Sequence, residues 1–131
     1  MIRIVLADDH DIVRKGIRIL LEHEPDFLIV AEASDGVGAV KLVESLHPDV
    51  LVTDLKMADL NGIEVARLVK EHSPETRVVV LSMYGDNAYV EGALAAGANG
   101  YVLKESSVED LVRAIRDAVS GGRYLSPSLH S

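Results

Sequence analysis

Five short apolar runs alternate along this chain with five longer amphipathic stretches, and no other feature limits its possible folds as strongly. The runs are Arg3 to Ala7, Leu28 to Ala33, Val50 to Thr53, Arg77 to Ser82 and Gly100 to Lys104. Four of them are almost unbroken in Val, Ile, Leu and Ala, with little period-two alternation. A strand with one wet face alternates; a strand apolar throughout is covered on both faces, as in a parallel sheet. Parallel neighbours need long crossovers, and the intervening stretches have helical length and spacing. Asp11 to Leu21 places Ile12, Val13, Ile17, Leu20 and Leu21 on one stripe. Gly36 to Leu46 carries Val40, Val43 and Leu46, and Gly62 to Glu71 carries Ile63, Ala66, Leu68 and Val69. Asn87 to Ala96 is Ala-rich, and Ser107 to Ser120 carries Val108, Leu111, Val112, Ile115 and Val119.

Turn and capping residues agree with these limits. Asp8-Asp9-His10-Asp11, Ser34-Asp35-Gly36, Asp59-Leu60-Asn61-Gly62, Gly85-Asp86-Asn87 and Glu105-Ser106-Ser107 each precede a helical stretch. Ser107 with Asp110 resembles a capping box. His47-Pro48 and Ser73-Pro74 end the second and third helices, and Gly97 and Gly121-Gly122 follow the fourth and fifth. Five βα units with right-handed crossovers predict an α/β, doubly wound, five-stranded parallel sheet with helices on both faces. At 131 residues this is one domain with one sizeable core.

Composition narrows the function classes. Cysteine is absent, which removes disulfides, thiolate catalysis and cysteine-held metals. No apolar run reaches the length of a membrane span, and Met1-Ile2-Arg3 leads straight into strand-like sequence, so a cytoplasmic chain is expected. Thirteen Lys and Arg against twenty-one Asp and Glu leave a formal charge of −8. The basic residues Arg14, Lys15, Arg18, Arg67, Lys70, Arg113 and Arg116 are spread over three helices rather than striped. The chain by itself is therefore not expected to bind DNA. Gly36-Val37-Gly38 lacks the third glycine of a dinucleotide fingerprint, because Lys41 stands there.

Ligands of open α/β sheets bind beyond the carboxyl ends of the strands. Those ends here are Asp8-Asp9, Ser34-Asp35, Asp54, Ser82 and Lys104. In a flavodoxin-like order 2-1-3-4-5, strands one and three are neighbours about 4.8 Å apart, which clusters Asp8, Asp9 and Asp54. Lys104 starts two strands away, roughly 10 Å, within reach of an extended side chain. Like charges about 5 Å apart cost roughly 3 kcal/mol per pair at an effective dielectric of ~20, so the cluster calls for a proton or a cation. Oxygen ligands without cysteine suit Mg²⁺. Helix capping accounts for one of Asp8 and Asp9 but not for Asp54 between Thr53 and Leu55. Beside a cation, Asp54 is a candidate nucleophile toward phosphorus, with Lys104 as a positive charge and Ser82 as a hydroxyl donor for phosphoryl oxygens. Lys56 and Tyr84 lie two positions beyond Asp54 and Ser82, where their side chains can overhang that group.

In order along the chain, Val5-Leu6-Ala7-Asp8-Asp9-His10, Asp49 to Met57, Asn61-Gly62, Val80-Leu81-Ser82, Ala95 to Ala98 and Gly100 to Lys104 resemble the receiver domain of two-component response regulators. The Asp-Asp-His opening and the ending Gly121 to Pro127 are similar to the NarL/FixJ subfamily, whose members continue into a LuxR-type helix-turn-helix. The resemblance implies the CheY-like form of the flavodoxin-like sheet. It also implies Asp54 as phosphoacceptor and Mg²⁺ held by Asp8, Asp9, Asp54 and the main-chain carbonyl of Lys56. Ser82 and Tyr101 would be the switch pair, and Lys104 would be the partner of a phosphoryl oxygen. Ala58 and Glu105 stand where the family often has proline.

Residues 1–120 are then the receiver domain, and 121–131 the start of a linker toward a C-terminal effector domain. The implied partners are a sensor histidine kinase, that helix-turn-helix domain, and a second copy of the chain on phosphorylation, with no membrane role. The chain would not be an enzyme beyond self-catalysed phosphoryl acceptance and slow autodephosphorylation. Two rival readings differ in class. A haloacid-dehalogenase-type phosphatase shares the sheet, Mg²⁺ and aspartyl phosphate, but its nucleophile ends strand one in an Asp-x-Asp motif; here the adjacent Asp8-Asp9 pair stands there. A degenerate receiver serving only as a binding module would lack the intact set of Asp8, Asp9, Asp54, Ser82 and Lys104.

Overall fold

The computed structural model describes residues 1–106, 108–126 and Leu129. In chain order the elements are β1 (Ile2–Ala7), α1 (Asp11–Glu22), β2 (Phe27–Ala33), α2 (Gly36–Leu46), β3 (Val50–Asp54), α3 (Gly62–His72), β4 (Arg77–Ser82), α4 (Asn87–Ala95), β5 (Gly100–Leu103), α5 (Val108–Val119) and β6 (Tyr124–Leu125). The strands form one sheet in the order β2-β1-β3-β4-β5-β6, and every adjacent pair is parallel.

Successive residues of a strand point to opposite faces, so an unbroken apolar strand feeds two cores. Val5, Leu51, Val78 and Val80 pack with Ala39 and Val43 of α2, Val65 and Val69 of α3, and Val90 and Ala93 of α4. Ile4, Leu6, Val50, Val52, Val79 and Leu81 pack on the other face with Leu21 of α1 and Leu111, Ala114, Ile115 and Ala118 of α5. This is the doubly wound, flavodoxin-like arrangement.

Two features differ from the sequence expectation. The apolar stripe of α1 is not all core: Leu21 is buried, whereas Ile12 is 87% exposed and Val13 and Leu20 also face outward. Its hydrophobic spacing signals one helical face, but Leu21 and the partly buried Ile17 carry the contact with the core, while Ile12 and Val13 in its first turn are exposed. The second difference is the sheet itself, which has six strands rather than five. Tyr124 N–H donates to the Asn99 carbonyl and Ser126 N–H to the Tyr101 carbonyl, each at 3.0 Å. Ser126 is fully buried, and its Oγ accepts from Leu103 N–H at 2.9 Å. Residues after Gly121-Gly122 read as linker because a two-residue strand has no periodicity of its own; the open edge of β5 supplies its hydrogen bonds. The capping box read for Ser107 lies outside the described residues.

The turns that carry the strand ends are tied down locally. Asp35 accepts from Gly38 N–H at the start of α2, and Asn61 with Glu64 forms a capping box on α3. Asp59 accepts from the Gly36, Val37 and Leu60 N–H groups at 2.8, 2.9 and 2.7 Å. The β3–α3 loop is thus pinned to the N-terminus of α2, where the helix dipole favours a carboxylate, with Ala58 in the place of proline. No described peptide bond is cis, the Lys104–Glu105 bond included.

Gly62 closes this loop against the strand that carries Asp54. Its N–H donates to the Leu55 carbonyl at 2.7 Å. A Cβ there would stand 2.8 Å from the Asp54 carbonyl oxygen and 3.1 Å from Leu55 Cα, both backbone atoms that cannot swing aside. Gly62→Ala is therefore expected to lower stability by about 1–3 kcal/mol, measured by urea unfolding. A variant as stable as the wild type would show that the loop yields without cost.

Candidate functional site

Parallel register sets the site at one edge of the sheet. Ala7 pairs with Thr53 across β1 and β3, so the residues that follow, Asp8 and Asp54, leave the sheet side by side. Asp54 pairs with Leu81, which brings Ser82 to the same edge, and Ser82 pairs with Leu103, just before Lys104. Asp8 and Asp54 are both buried, whereas Asp9 is exposed. Lys104 Nζ donates to Asp54 Oδ2 at 3.1 Å and to Asp8 Oδ2 at 3.4 Å. The lysine therefore spans the two intervening strand spacings.

The two oxygens of Asp8 divide their work. Oδ1 accepts from the His10 backbone N–H at 2.9 Å, fixing the turn into α1, while Oδ2 faces Lys104. Neither Asp8 nor Asp9 caps α1 by a side-chain bond to its first turn; Asp8 instead holds the amide of the N-cap residue while it takes part in the site. His10 itself provides no side-chain cap, and its Nδ1 lies 3.0 Å from Asp9 Oδ1 and 3.3 Å from Asp8 Oδ1. Among the described residues, one potential donor atom each from Asp8, Asp9, His10 and Asp54 lies within 4.8 Å of the others. Clustered carboxylate oxygens, two of them on buried residues, fit a hard dication, and this acidic pocket has the donors to hold a metal ion.

One ammonium serves two buried carboxylates, and the proton affinities of Asp54 and Lys104 reflect that. Burial pushes the Asp54 carboxyl above the usual carboxylate range and the Asp8 charge adds to this, against the opposing Lys104 hydrogen bond and charge and the Lys56 backbone N–H. Burial also acts against the Lys104 ammonium, but the hydrogen bond to Asp54 and the charges of Asp54 and Asp8 outweigh it and raise its pKa. Lys104 gains from two anions at once, whereas Asp54 has only a share of one cation.

The remaining expected residues stand around this centre. Ser82 is fully buried, and its Oγ accepts from Tyr84 N–H at 2.9 Å. The fully buried Tyr101 donates its hydroxyl to the Tyr84 carbonyl. Ser82 and Tyr101 therefore meet through the backbone of one residue in the β4–α4 turn. The Lys56 side chain is drawn to α4: Nζ donates to Tyr89 Oη at 3.0 Å and lies 5.2 and 4.9 Å from the ring centres of Tyr84 and Tyr89. The half-exposed Tyr84 ring packs 5.8 Å from that of Tyr89, centre to centre. His10 and Tyr89 carried little weight in the sequence. His10 was legible from its place two residues beyond Asp8, where a turn brings its amide back. Nothing in sequence linked Tyr89 to Lys56.

Asp54 ionisation gives a pH signature. Its folded pKa lies above the unfolded one, so the folded state binds more protons between the two. Stability then falls as pH rises through that window, and the penalty is present in full above it. Asp54→Asn is expected to melt higher than the wild type at pH 7, with the gap closing as pH falls toward about 4, near the unfolded carboxyl value. Melting curves across that range check this; a gap that widens on acidification would mean that Lys104, not burial, dominates.

Comparison with known proteins agrees with this geometry. Residues 4–116 match the family model of the response regulator receiver domain. The chain is 41% identical over 128 residues to the transcriptional regulatory protein DegU of Brevibacillus brevis, covering 98% of this chain and 54% of DegU. The chain thus spans about half the length of the curated relatives it matches. Among solved structures, a LuxR-family two-component response regulator from Aurantimonas sp. SI85-9A1 superposes with a TM-score of 0.94 at 39% identity, covering 97% of this chain and 91% of that one. RcsB, in a structure of two dimers bound to two parallel DNAs, superposes with a TM-score of 0.88 at 30% identity, covering 98% of this chain and 65% of that one. The parallel sheet, the acidic strand ends and these matches place the chain in the response regulator receiver domain family, in the group that LuxR-family regulators carry.

Proposed function

We propose that Asp54 accepts a phosphoryl group from the phosphohistidine of a sensor histidine kinase, or from a small acyl phosphate. An Asp54 oxygen bonds to phosphorus as the bond from phosphorus to the imidazole nitrogen breaks, and that nitrogen keeps the electron pair. The observation that carries this reading is Lys104 Nζ at 3.1 Å from Asp54 Oδ2, an ammonium inside a cluster of carboxylates. Phosphoryl transfer depends mostly on positioning and on neutralising charge. Asp8, Asp9, Asp54 and the main-chain carbonyl of Lys56 would hold Mg²⁺, which supplies positive charge that one lysine cannot. Lys104 then pairs with a phosphoryl oxygen, and the Ser82 hydroxyl turns from the Tyr84 backbone to donate to another. Tyr101 loses its partner when the Tyr84 turn moves, and this carries the change to the α4–β5–α5 face.

Water in line with the acyl phosphate ends the signal, so the chain is a switch rather than a turnover enzyme. Dimerisation is the output, on the α4–β5–α5 face or on the face of α1 and α5. The DNA-bound RcsB dimers and the LuxR-family relatives support that reading. The whole protein is then a cytoplasmic transcription regulator. Residues 1–120 receive the phosphoryl group, and the chain from 121 leads to a C-terminal helix-turn-helix domain, which binds the DNA. Among the described residues no helix is long and apolar enough to cross a membrane.

Incubation with acetyl phosphate and Mg²⁺ should add one phosphate by mass spectrometry. Asp54→Asn should take up none, and chelation of Mg²⁺ should stop labelling; equal labelling of the variant would remove Asp54 from its role. Tyr84 and Lys56 tune the lifetime of the acyl phosphate, the ring as a shield against water. Tyr84→Ala should speed its decay about threefold or more, a change of about 0.7 kcal/mol in barrier. An unchanged decay rate would rule out shielding.

A further inference from the structure

We propose that Arg14, on the inner side of α1, is the positioning residue that sets the Asp8 carboxylate for cation binding. The inference rests on the reading of the acidic pocket as a cation site. The Arg14 side chain is only 12% exposed. Its Nη1 donates to the main-chain carbonyl of Asp8 at 2.7 Å. Its Nε donates to Glu32 Oε1 on β2 at 2.9 Å, and its Nη2 pairs with Asp11 Oδ1 at 2.9 Å. A guanidinium offers several donors in one rigid plane, so holding Glu32 and Asp11 leaves the donor toward Asp8 fixed in direction. Glu32 is also gripped from its other oxygen by Arg18.

Asp8 is thereby clamped along its backbone from both sides. Its N–H donates to the Ala33 carbonyl at 3.1 Å, and its carbonyl receives Arg14. With its backbone held there and its Oδ1 held by the His10 N–H, the Asp8 carboxylate loses little freedom when it binds an ion. Arg14 also lines, with Asp8 and Asp54, a cavity of about 10 Å³ beneath the two carboxylates. It therefore stands next to both buried carboxylate residues and holds the main chain of one of them. Residues that orient a metal-ligating group are typically worth a factor of 10–100 in metal affinity. Nothing in the sequence pattern singles out Arg14, because its partners lie on β2 and at the end of β1.

The test is Mg²⁺ titration of the chain, followed by amide NMR shifts, in the wild type, Arg14→Lys, Glu32→Gln and Asp8→Asn, each well below its melting temperature. Lysine keeps the charge but cannot hold Asp8, Glu32 and Asp11 together, so the Kd of Arg14→Lys should rise about tenfold. The His10 amide, which donates to Asp8 Oδ1, should shift in the same variant before any metal is added. A merely structural role would lower the melting temperature without moving that amide or the Kd. If Arg14→Lys does not fold, Glu32→Gln carries the test, with the same two signs expected. A wild-type Kd in the folded variant overturns the role of Arg14 if Asp8→Asn still weakens binding. A wild-type Kd in Asp8→Asn overturns instead the reading of the pocket as a cation site.

Discussion

A single ammonium held among carboxylates at one edge of a parallel sheet is the constraint on which the site depends. From the end of β5, Lys104 reaches Asp54 across β4 and Asp8 across β4 and β3. At separations near 5 Å, each pair of like charges costs roughly 3 kcal/mol even with substantial screening, so one lysine balances only part of the cluster. The fold keeps this unfavourable arrangement because the strands beneath it are covered on both faces. Burial raises the proton affinity of Asp54 and makes the pocket attractive to added positive charge. A phosphoryl group with its cation would resolve what the protein alone leaves unbalanced.

That imbalance is useful only if the surrounding backbone is rigid in some places and free in others. Around Asp54 it is rigid: Asp59 ties the following loop to α2, Asn61 caps α3, and Gly62 lies against the Asp54 carbonyl. Around Asp8 the Arg14 guanidinium and the Ala33 carbonyl hold the backbone. The β4–α4 turn is held differently. Ser82 and Tyr101 share the backbone of Tyr84, and polar side chains grip it rather than packing. Hydrogen bonds of this kind are worth about 1 kcal/mol net, so a new acceptor near Ser82 competes with them on equal terms.

The far edge of the sheet adds a second link. β6 borrows its hydrogen bonds from β5, and Ser126 Oγ accepts from the Leu103 N–H, next to Lys104, and bonds with Ser106 Oγ. The segment from Tyr124 to Ser126 is thus attached to the strand that carries Tyr101 and leads to Lys104. Leu129 packs against the same core, close to Gly85 in the β4–α4 turn. A change in that turn meets Leu129 directly.

Most of the architecture was legible in the sequence. Val, Ile, Leu and Ala runs without alternation can only be buried on both faces, and that alone leads to parallel strands with covering helices. Acidic residues at the ends of the first and third runs, with lysine at the end of the fifth, follow from chain order once the sheet is accepted. Three things were decided by tertiary structure. β6 exists because β5 has an open edge, a property of the sheet and not of Tyr124 and Leu125. Ile12 and Val13 are exposed because α1 meets the core through Ile17 and Leu21, although helical spacing groups them together. The pairing of Lys56 with Tyr89, and of Arg14 with Glu32 and the Asp8 carbonyl, joins residues from separate elements. Periodicity records which face of an element is apolar. Which polar groups meet across elements depends on how those elements pack, and only the folded chain sets that.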